Sequence, residues 1–310
     1  ADSHIAIVHI DGNDVGERFK QTSNLKAIRI LSKTVHEATE KAFDAVIEKT
    51  VEKYDKIMEA LGLDSERAYP TIENKNILPI RSIVLGGDDV TFVCDGKLGI
   101  YFAKIFIEEF EKQKVNGEKL TACAGVAIIK TKYPFYRGYW LAEELCTNAK
   151  RERKDEKSAA SFLDFHVSLG SIGGSLKMIR QRDFENRPQG SLLYRPFKIV
   201  PKDPFDELGL NHFLEKVSQL DLEIAQRLKI PDYGLPKNKI NELREVLTLT
   251  EDAAREFVRA LQYRGWKLPH IEGRQYQESL FADNKTPYFD MIEILRFYPE
   301  FALEENGEKA

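Results

Sequence analysis

Leu78-Pro-Ile-Arg-Ser-Ile-Val-Leu-Gly-Gly-Asp-Asp-Val-Thr-Phe-Val-Cys94 decides how this chain is read. Leu78 to Leu85 and Val90 to Cys94 are rich in β-branched and apolar residues, and Gly86-Gly-Asp-Asp89 lies between them. Glycine supplies the positive φ that a tight turn needs, so the stretch predicts a β-hairpin with acidic residues at its tip. The competing reading of such a tip is a turn whose aspartates simply face water.

The flanking sequence gives the hairpin a context. Ile5 to Ile10 is a short β-rich run that ends in a second acidic turn, Asp11-Gly-Asn-Asp-Val-Gly16. From Leu25 to Leu61 apolar residues recur at steps of three and four (Ile28, Leu31, Val35, Ala38, Ala42, Ala45), which predicts a long amphipathic helix. Gly62 is a plausible stop and Asp64 to Asn76 reads as a polar loop. After the hairpin, Gly99 to Gln113 returns to helical spacing, Leu120 to Ile129 reads as a strand and Tyr139 to Lys150 as a helix. The order βαββαβα is the ferredoxin-like plan with one more helix. The expected fold is therefore α+β, an antiparallel sheet with long helices.

Ser161 to Val167 and Ser191 to Val200 predict further strands around a Gly-rich loop, Ser168 to Gly174, and a short helix. That loop lacks the GK[ST] ending of a P-loop and reads as a connector. Beyond Pro201 the pattern turns helical, with starts expected at Pro204, Leu235-Pro236, Thr250 and Thr286-Pro287. We expect domains at 1–200 and 201–310, the second mostly helical, with a frayed tail from Glu304.

In a ferredoxin-like sheet the first strand and the hairpin are central neighbours, so Asp11, Asp88 and Asp89 are expected at one sheet edge. Carboxylates so placed repel one another and raise each other's pKa unless cations hold them ionised. Mg²⁺ takes oxygen ligands of this kind together with substrate phosphates. A pair of such ions, roughly 3.5–4 Å apart, activates an attacking hydroxyl and stabilises departing pyrophosphate. Backbone N–H groups of Asn13 to Gly16, before the long helix, are placed to cradle a triphosphate. Lys150 is either a phosphate contact or an ordinary cation at a helix end.

Composition narrows the alternatives. The 310 residues are 42 % hydrophobic, enough to bury a core, and 46 basic against 50 acidic side chains leave a net charge of −4. That balance does not indicate a nucleic-acid coat, which draws its affinity from surplus Lys and Arg. The 3 cysteines (Cys94, Cys123, Cys146) form no CxxC pair and read as reduced thiols in a cytoplasmic protein. No apolar run is long enough for a bilayer, and no signal peptide opens the chain. Neither HExxH nor GxSxG occurs.

Together these motifs resemble a known family, the palm domain of the large subunit of type III CRISPR effector complexes, with GGDEF diguanylate cyclases as wider relatives. Asp11 to Gly16 is similar to that family's DGDxMG, with Asn13 and Val15 departing from it, and Gly86 to Asp89 to its GGDD. Ala149-Lys150 is similar to the Ala-Lys that closes the palm's last helix, and Leu163 to Val167 and Arg195 to Phe197 to the DFHV and RP(Y/F) strands. The resemblance covers about 1–200. It implies a palm that binds ATP or another NTP with two Mg²⁺ or Mn²⁺ ions and makes cyclic second messengers in antiviral defence. Carried over by position, Asp11, Asp88 and Asp89 are metal ligands and catalytic residues, and Gly12 adds its carbonyl. Asn13, Asp14 and Val15 form the phosphate loop with Gly86 and Gly87 beside it, and Lys150 contacts phosphate. With no HD nuclease region, four-cysteine module or second palm, the chain is expected to be a stand-alone or excised single palm, working as a homodimer. A non-catalytic nucleotide sensor and a template-directed polymerase are the competing readings.

Overall fold

The computed structural model describes residues 3–22, 24–63, 71–73, 75–115, 117–168, 174–231, 233–271, 276 and 279–307. The chain divides into two compact units, 1–171 with 196–201, and 172–195 with 202–310. Segment 172–195 thus groups with the second unit, although it precedes position 200, where a change of character is read in the sequence.

In the first unit β1 (His4–Gly12) leads into α1 (Val15–Gln21), α2 (Leu25–Glu52) and α3 (Tyr54–Ala60). A small hairpin, β2 (Thr71–Ile72) and β3 (Lys75–Asn76), precedes the main one, β4 (Ile80–Gly86) and β5 (Asp89–Asp95). Then come α4 (Gly99–Phe110), the short β6 (Lys114–Val115) and β7 (Glu118–Lys119), β8 (Ala122–Lys130), α5 (Phe135–Asp155), β9 (Ser161–Val167) and, after the excursion into the second unit, β10 (Phe197–Ile199). The sheet order is β10-β9-β8-β1-β5-β4, antiparallel except for the parallel β8–β9 pair. Its four strands β8-β1-β5-β4 are the ferredoxin-like core expected from the sequence.

Both faces of the sheet are covered. Ala6, Val8 and Val126 meet α4 near Gly99, whereas Ile7 and Ile129 meet α5 near Gly138. This double covering explains why β1 and β8 read as continuous apolar runs rather than alternating ones. α5 lies very close to β8: a Cβ on Gly125 would stand 2.0 Å from the Ala142 carbonyl oxygen. The edge strand β4 is largely exposed and shifts register between Ser82 and Val84, an irregularity of the kind that blunts open sheet edges.

Several local expectations change. The long helix gains a short predecessor, α1, and is interrupted at Lys53. The Thr50 hydroxyl donates to the Val46 carbonyl at 2.7 Å, a back-bond that bends helices just upstream of the break. α2 begins where the Asn24 side chain accepts from Ala27 N at 2.8 Å. Of the predicted strand 191–200 only Phe197–Ile199 pairs with β9; the Tyr194 and Arg195 amides donate to Asp290 Oδ2 instead, at 3.0 and 2.8 Å. The polar loop from Asp64 and the Gly-rich connector fall mostly outside the described residues.

The second unit holds α6 (Leu176–Arg180), continued by a π-helical turn at Gln181–Glu185, then α7 (Leu210–Ser218), α8 (Leu222–Arg227), α9 (Lys237–Val246), α10 (Glu251–Tyr263), α11 (Tyr288–Phe297) and α12 (Glu300–Gly307). Thr250 caps α10 as expected, while α9 and α11 begin directly after Pro236 and Pro287. Pro204 starts no helix, because the Asp203 and Asp206 carboxylates accept from Phe205 N and Leu208 N and curl the chain into turns. Glu304 to Gly307, expected to fray, are helical. Inside this unit Arg195 is fully buried against Asp290 and Glu293, its Nη1 lying 2.7 Å from Glu293 Oε2. The three cysteines are free and buried. Among the described residues no helix is long and apolar enough to cross a membrane.

Candidate active site

The two acidic turns meet through sheet register. Asp11, at the end of β1, is the direct cross-strand partner of Asp89, the first residue of β5. Gly86 pairs with Asp89, leaving Gly87 and Asp88 as a two-residue turn in which Gly87 takes φ 59°. Positive φ at the first of two turn residues is the pattern that glycine serves in a type II′ hairpin. The turn is tied down on two sides. Gly12 N donates to the Asp88 carbonyl at 3.1 Å, and the buried Thr39 of α2 donates to the Gly87 carbonyl at 2.5 Å. A Cβ on Gly12 would stand 2.7 Å from Asp88 Cβ, so only glycine lets the turns approach this closely.

α5 supplies the opposite charge. Lys150, Arg153 and Lys154 share a face of the helix at steps of three and four and line a cleft of about 320 Å³ with Asp11 to Glu17 and Asp88. Lys150 Nζ lies 2.6 Å from Asp11 Oδ2 and 3.3 Å from the Gly12 carbonyl oxygen. Arg153 Nη2 lies 2.5 Å from Asp14 Oδ2. That hydrogen bond, more than burial opposes it, holds the Asp14 carboxyl below its ordinary pKa. Lys150 is therefore no helix-end cation: α5 continues to Asp155 and Lys150 points from its side into the cleft.

Electrostatics mark the hairpin tip as short of positive charge. Burial raises the pKa of half-buried Asp88, and the nearby Asp11 and Asp89 carboxylates push it the same way against Lys150. Burial also raises that of Asp89; His9, whose Nδ1 is 3.5 Å away, opposes the rise, while Asp11 and Glu143 add to it. Among the described residues no three His, Cys, Asp or Glu side chains converge tightly enough to chelate an ion as they stand. The donor types nevertheless suit a hard divalent cation: carboxylates of Asp11, Asp88 and Asp89 plus the Gly12 carbonyl, all oxygen.

The structure thus gathers Asp11, Gly12, Asp88, Asp89, Gly86, Gly87 and Lys150 at one end of the sheet. The 13–16 loop, expected to cradle phosphate, lines the cleft and is held there by side-chain contacts. Asn13 N donates to the Thr121 carbonyl at 2.8 Å and its side-chain amide to Thr121 Oγ1 at 3.1 Å, so Asn13 ties the loop to the residue just before β8. Asp14 adopts φ 58° and spends its carboxylate on Arg153. Val15 is buried, and the helix that follows is the short α1, not the long one. Sequence reading passed over Arg153, Lys154, His9 and Thr39. The first two were legible as the helical spacing of Lys150-Arg-Glu-Arg-Lys154; the others touch the turns only through tertiary contacts.

A family model, Cas10/Cmr2, second palm domain, matches residues 4–158. The chain belongs to that family. Two forms of a solved cassette share its fold. The Csm1–Csm4 cassette in complex with cA4 superimposes with a TM-score of 0.52 at 14 % identity, covering 98 % of this chain and 36 % of that one. The apo Csm1–Csm4 cassette gives 0.52 at 15 % identity, with the same coverage of 98 % and 36 %. The active GGEEF domain of a diguanylate cyclase from Vibrio cholerae matches at a TM-score of 0.30 and 12 % identity, over 48 % of this chain and 78 % of that one. The chain therefore spans about a third of the length of the Csm1–Csm4 chains it matches. No curated protein matches it in sequence. Residues 4–158 thus form a palm domain of the Cas10/Cmr2 type.

Proposed function

We propose that this palm is a metal-dependent nucleotidyltransferase that joins ATP, or another NTP, into a cyclic di- or oligonucleotide by 3′-hydroxyl attack on an α-phosphate, in CRISPR-related antiviral defence. The observation that carries the reading is the register pairing of Asp11 with Asp89 beside Asp88, facing a cationic cleft. A turn that merely faced water would need neither the Gly12 and Thr39 bonds that hold it nor the raised carboxylate pKa values.

In this reading Asp11, Asp88, Asp89 and the Gly12 carbonyl would hold two Mg²⁺ or Mn²⁺ ions. When bound, such ions supply Lewis-acid polarisation of the phosphate and lower the pKa of the attacking hydroxyl. The protein's own part is positional. Thr39 and Gly12 fix the backbone of the hairpin tip, which keeps the carboxylates together at one end of the sheet. Lys150, Arg153 and Lys154 offer cations to the phosphate oxygens along one cleft wall. Asn13 anchors the floor of the cleft to Thr121. The Csm1–Csm4 cassette of this fold, solved in complex with cA4, accords with a product of this class.

Incubating the full chain with each NTP and Mg²⁺ or Mn²⁺, followed by mass spectrometry, tests the proposal. A cyclic product that disappears in Asp88→Asn supports it. Nucleotide binding without any product would favour a sensor, and template-dependent extension a polymerase.

A further inference from the structure

The ammonium of Lys150 lies on two atoms at once, Asp11 Oδ2 at 2.6 Å and the Gly12 carbonyl oxygen at 3.3 Å. Both are donors that the proposed function, on which this inference rests, gives to a divalent cation. Mg²⁺ and Mn²⁺ bind carboxylate and carbonyl oxygen at close range, roughly 2.1 Å for Mg²⁺. An ion shared by these two oxygens must therefore displace the ammonium that bridges them, and like charge adds to the conflict. Lys150 is only partly buried and stands on the side of α5, one turn before Arg153. The same cleft wall carries Lys154, and its mouth is lined by Asn13 to Glu17.

We propose that Lys150 and the divalent cation are alternative occupants of the Asp11–Gly12 oxygens, and that nucleotide decides between them. Without nucleotide the ammonium neutralises Asp11 and opposes metal entry. A triphosphate in the cleft presents oxygens that draw Lys150 off Asp11, so metal and nucleotide enter as a pair. Lys150 is thus a positioning residue for the metal as well as a phosphate contact, and its removal has opposite effects on the two ligands. Losing a partly exposed ammonium–carboxylate pair frees Asp11 for metal by about threefold to tenfold. Losing a charge-assisted bond to phosphate weakens nucleotide by about tenfold or more.

The test is Mn²⁺ binding to the full chain, followed by the electron paramagnetic resonance signal of free Mn²⁺, without nucleotide, for wild type, Lys150→Met, Lys150→Arg and Asp88→Asn. ATP binding in the presence of Mn²⁺ is measured by calorimetry on the same proteins. We expect Lys150→Met to bind Mn²⁺ at least threefold more tightly than wild type and ATP more weakly, with Lys150→Arg close to wild type for Mn²⁺. Equal or weaker Mn²⁺ binding by Lys150→Met, with binding still lost in Asp88→Asn, overturns the competition while leaving the metal site standing. Mn²⁺ binding that Asp88→Asn does not weaken removes the metal site itself, and the competition with it.

Discussion

Asp88 and Asp89 differ from most surface aspartates in that the fold raises their pKa values, chiefly by burial and then by the charge of Asp11. A carboxyl whose pKa is higher in the folded than in the unfolded chain costs stability above the folded pKa, and that cost vanishes below the ordinary value of 3.8. Asp88→Asn is therefore expected to leave stability near neutral pH unchanged or higher by less than about 1 kcal/mol given partial exposure, read as an equal or slightly higher melting temperature. The difference from wild type should fade as the pH falls toward 4, while turnover at neutral pH is abolished. Thermal melts over a pH series, with product analysis alongside, check both parts. Full activity in Asp88→Asn and Asp89→Asn would place the chemistry elsewhere. Gly12→Ala separates geometry from charge. Its Cβ would meet Asp88 Cβ at 2.7 Å and Val15 Cγ2 at 2.9 Å, so we expect a loss of about 1–3 kcal/mol in urea denaturation and a fall in turnover of at least about tenfold.

Between elements, Arg195 joins the 192–195 segment to α11. Asp290 accepts from two backbone amides and faces the guanidinium, and Glu293 completes the buried pair. Burial nonetheless holds the Asp290 pKa at about 6, which shows how far its charge depends on that guanidinium and those amides. Arg195→Met keeps volume but leaves both carboxylates without their cation. We expect a cost of about 3–5 kcal/mol, read as a lower urea midpoint, because the penalty is that of unpaired buried charge. Arg195 lowers the Asp290 pKa, so its removal lifts that pKa above about 6; the loss should shrink as the pH falls toward about 6 and change little below it. A midpoint equal to wild type would mean that Arg195 is not paired in solution.

At the scale of the whole molecule, the proposed cyclisation sets a geometric demand: in joining two nucleotides each 3′-hydroxyl would have to reach the other's α-phosphate, so two sites would have to face one another. One acidic hairpin is present among the described residues, at Gly86 to Asp89. A twofold homodimer with the Asp11 and Asp88 ends of two sheets opposed satisfies the demand. We expect dimerisation to strengthen with ATP and metal, and specific activity to rise with protein concentration. Light scattering with and without nucleotide, alongside activity measured over a concentration series, is the check. A strict monomer with concentration-independent activity would point to a partner palm on another chain.

What the sequence determined by itself was local and short-ranged. Positive φ at Gly87 needed glycine, apolar spacing marked α2, α4 and α5, and Gly86 to Asp89 between two β-rich runs announced the hairpin. From the ferredoxin-like order it also followed that Asp11 and the hairpin would share a sheet edge. Tertiary structure alone decided the rest. The amides of Tyr194 and Arg195 turned to a carboxylate that lies 95 residues or more away in sequence, so a predicted strand shortened to Phe197–Ile199. The contacts of Asn13 with Thr121 and of Asp14 with Arg153, which hold the 13–16 loop at the cleft, were likewise set by tertiary packing. Lys150 left open which atoms it served, because periodicity assigns a residue to a helix face and says nothing of the partner opposite. Only the packing of α5 on β8, made close by Gly125, set that ammonium on Asp11 and Gly12.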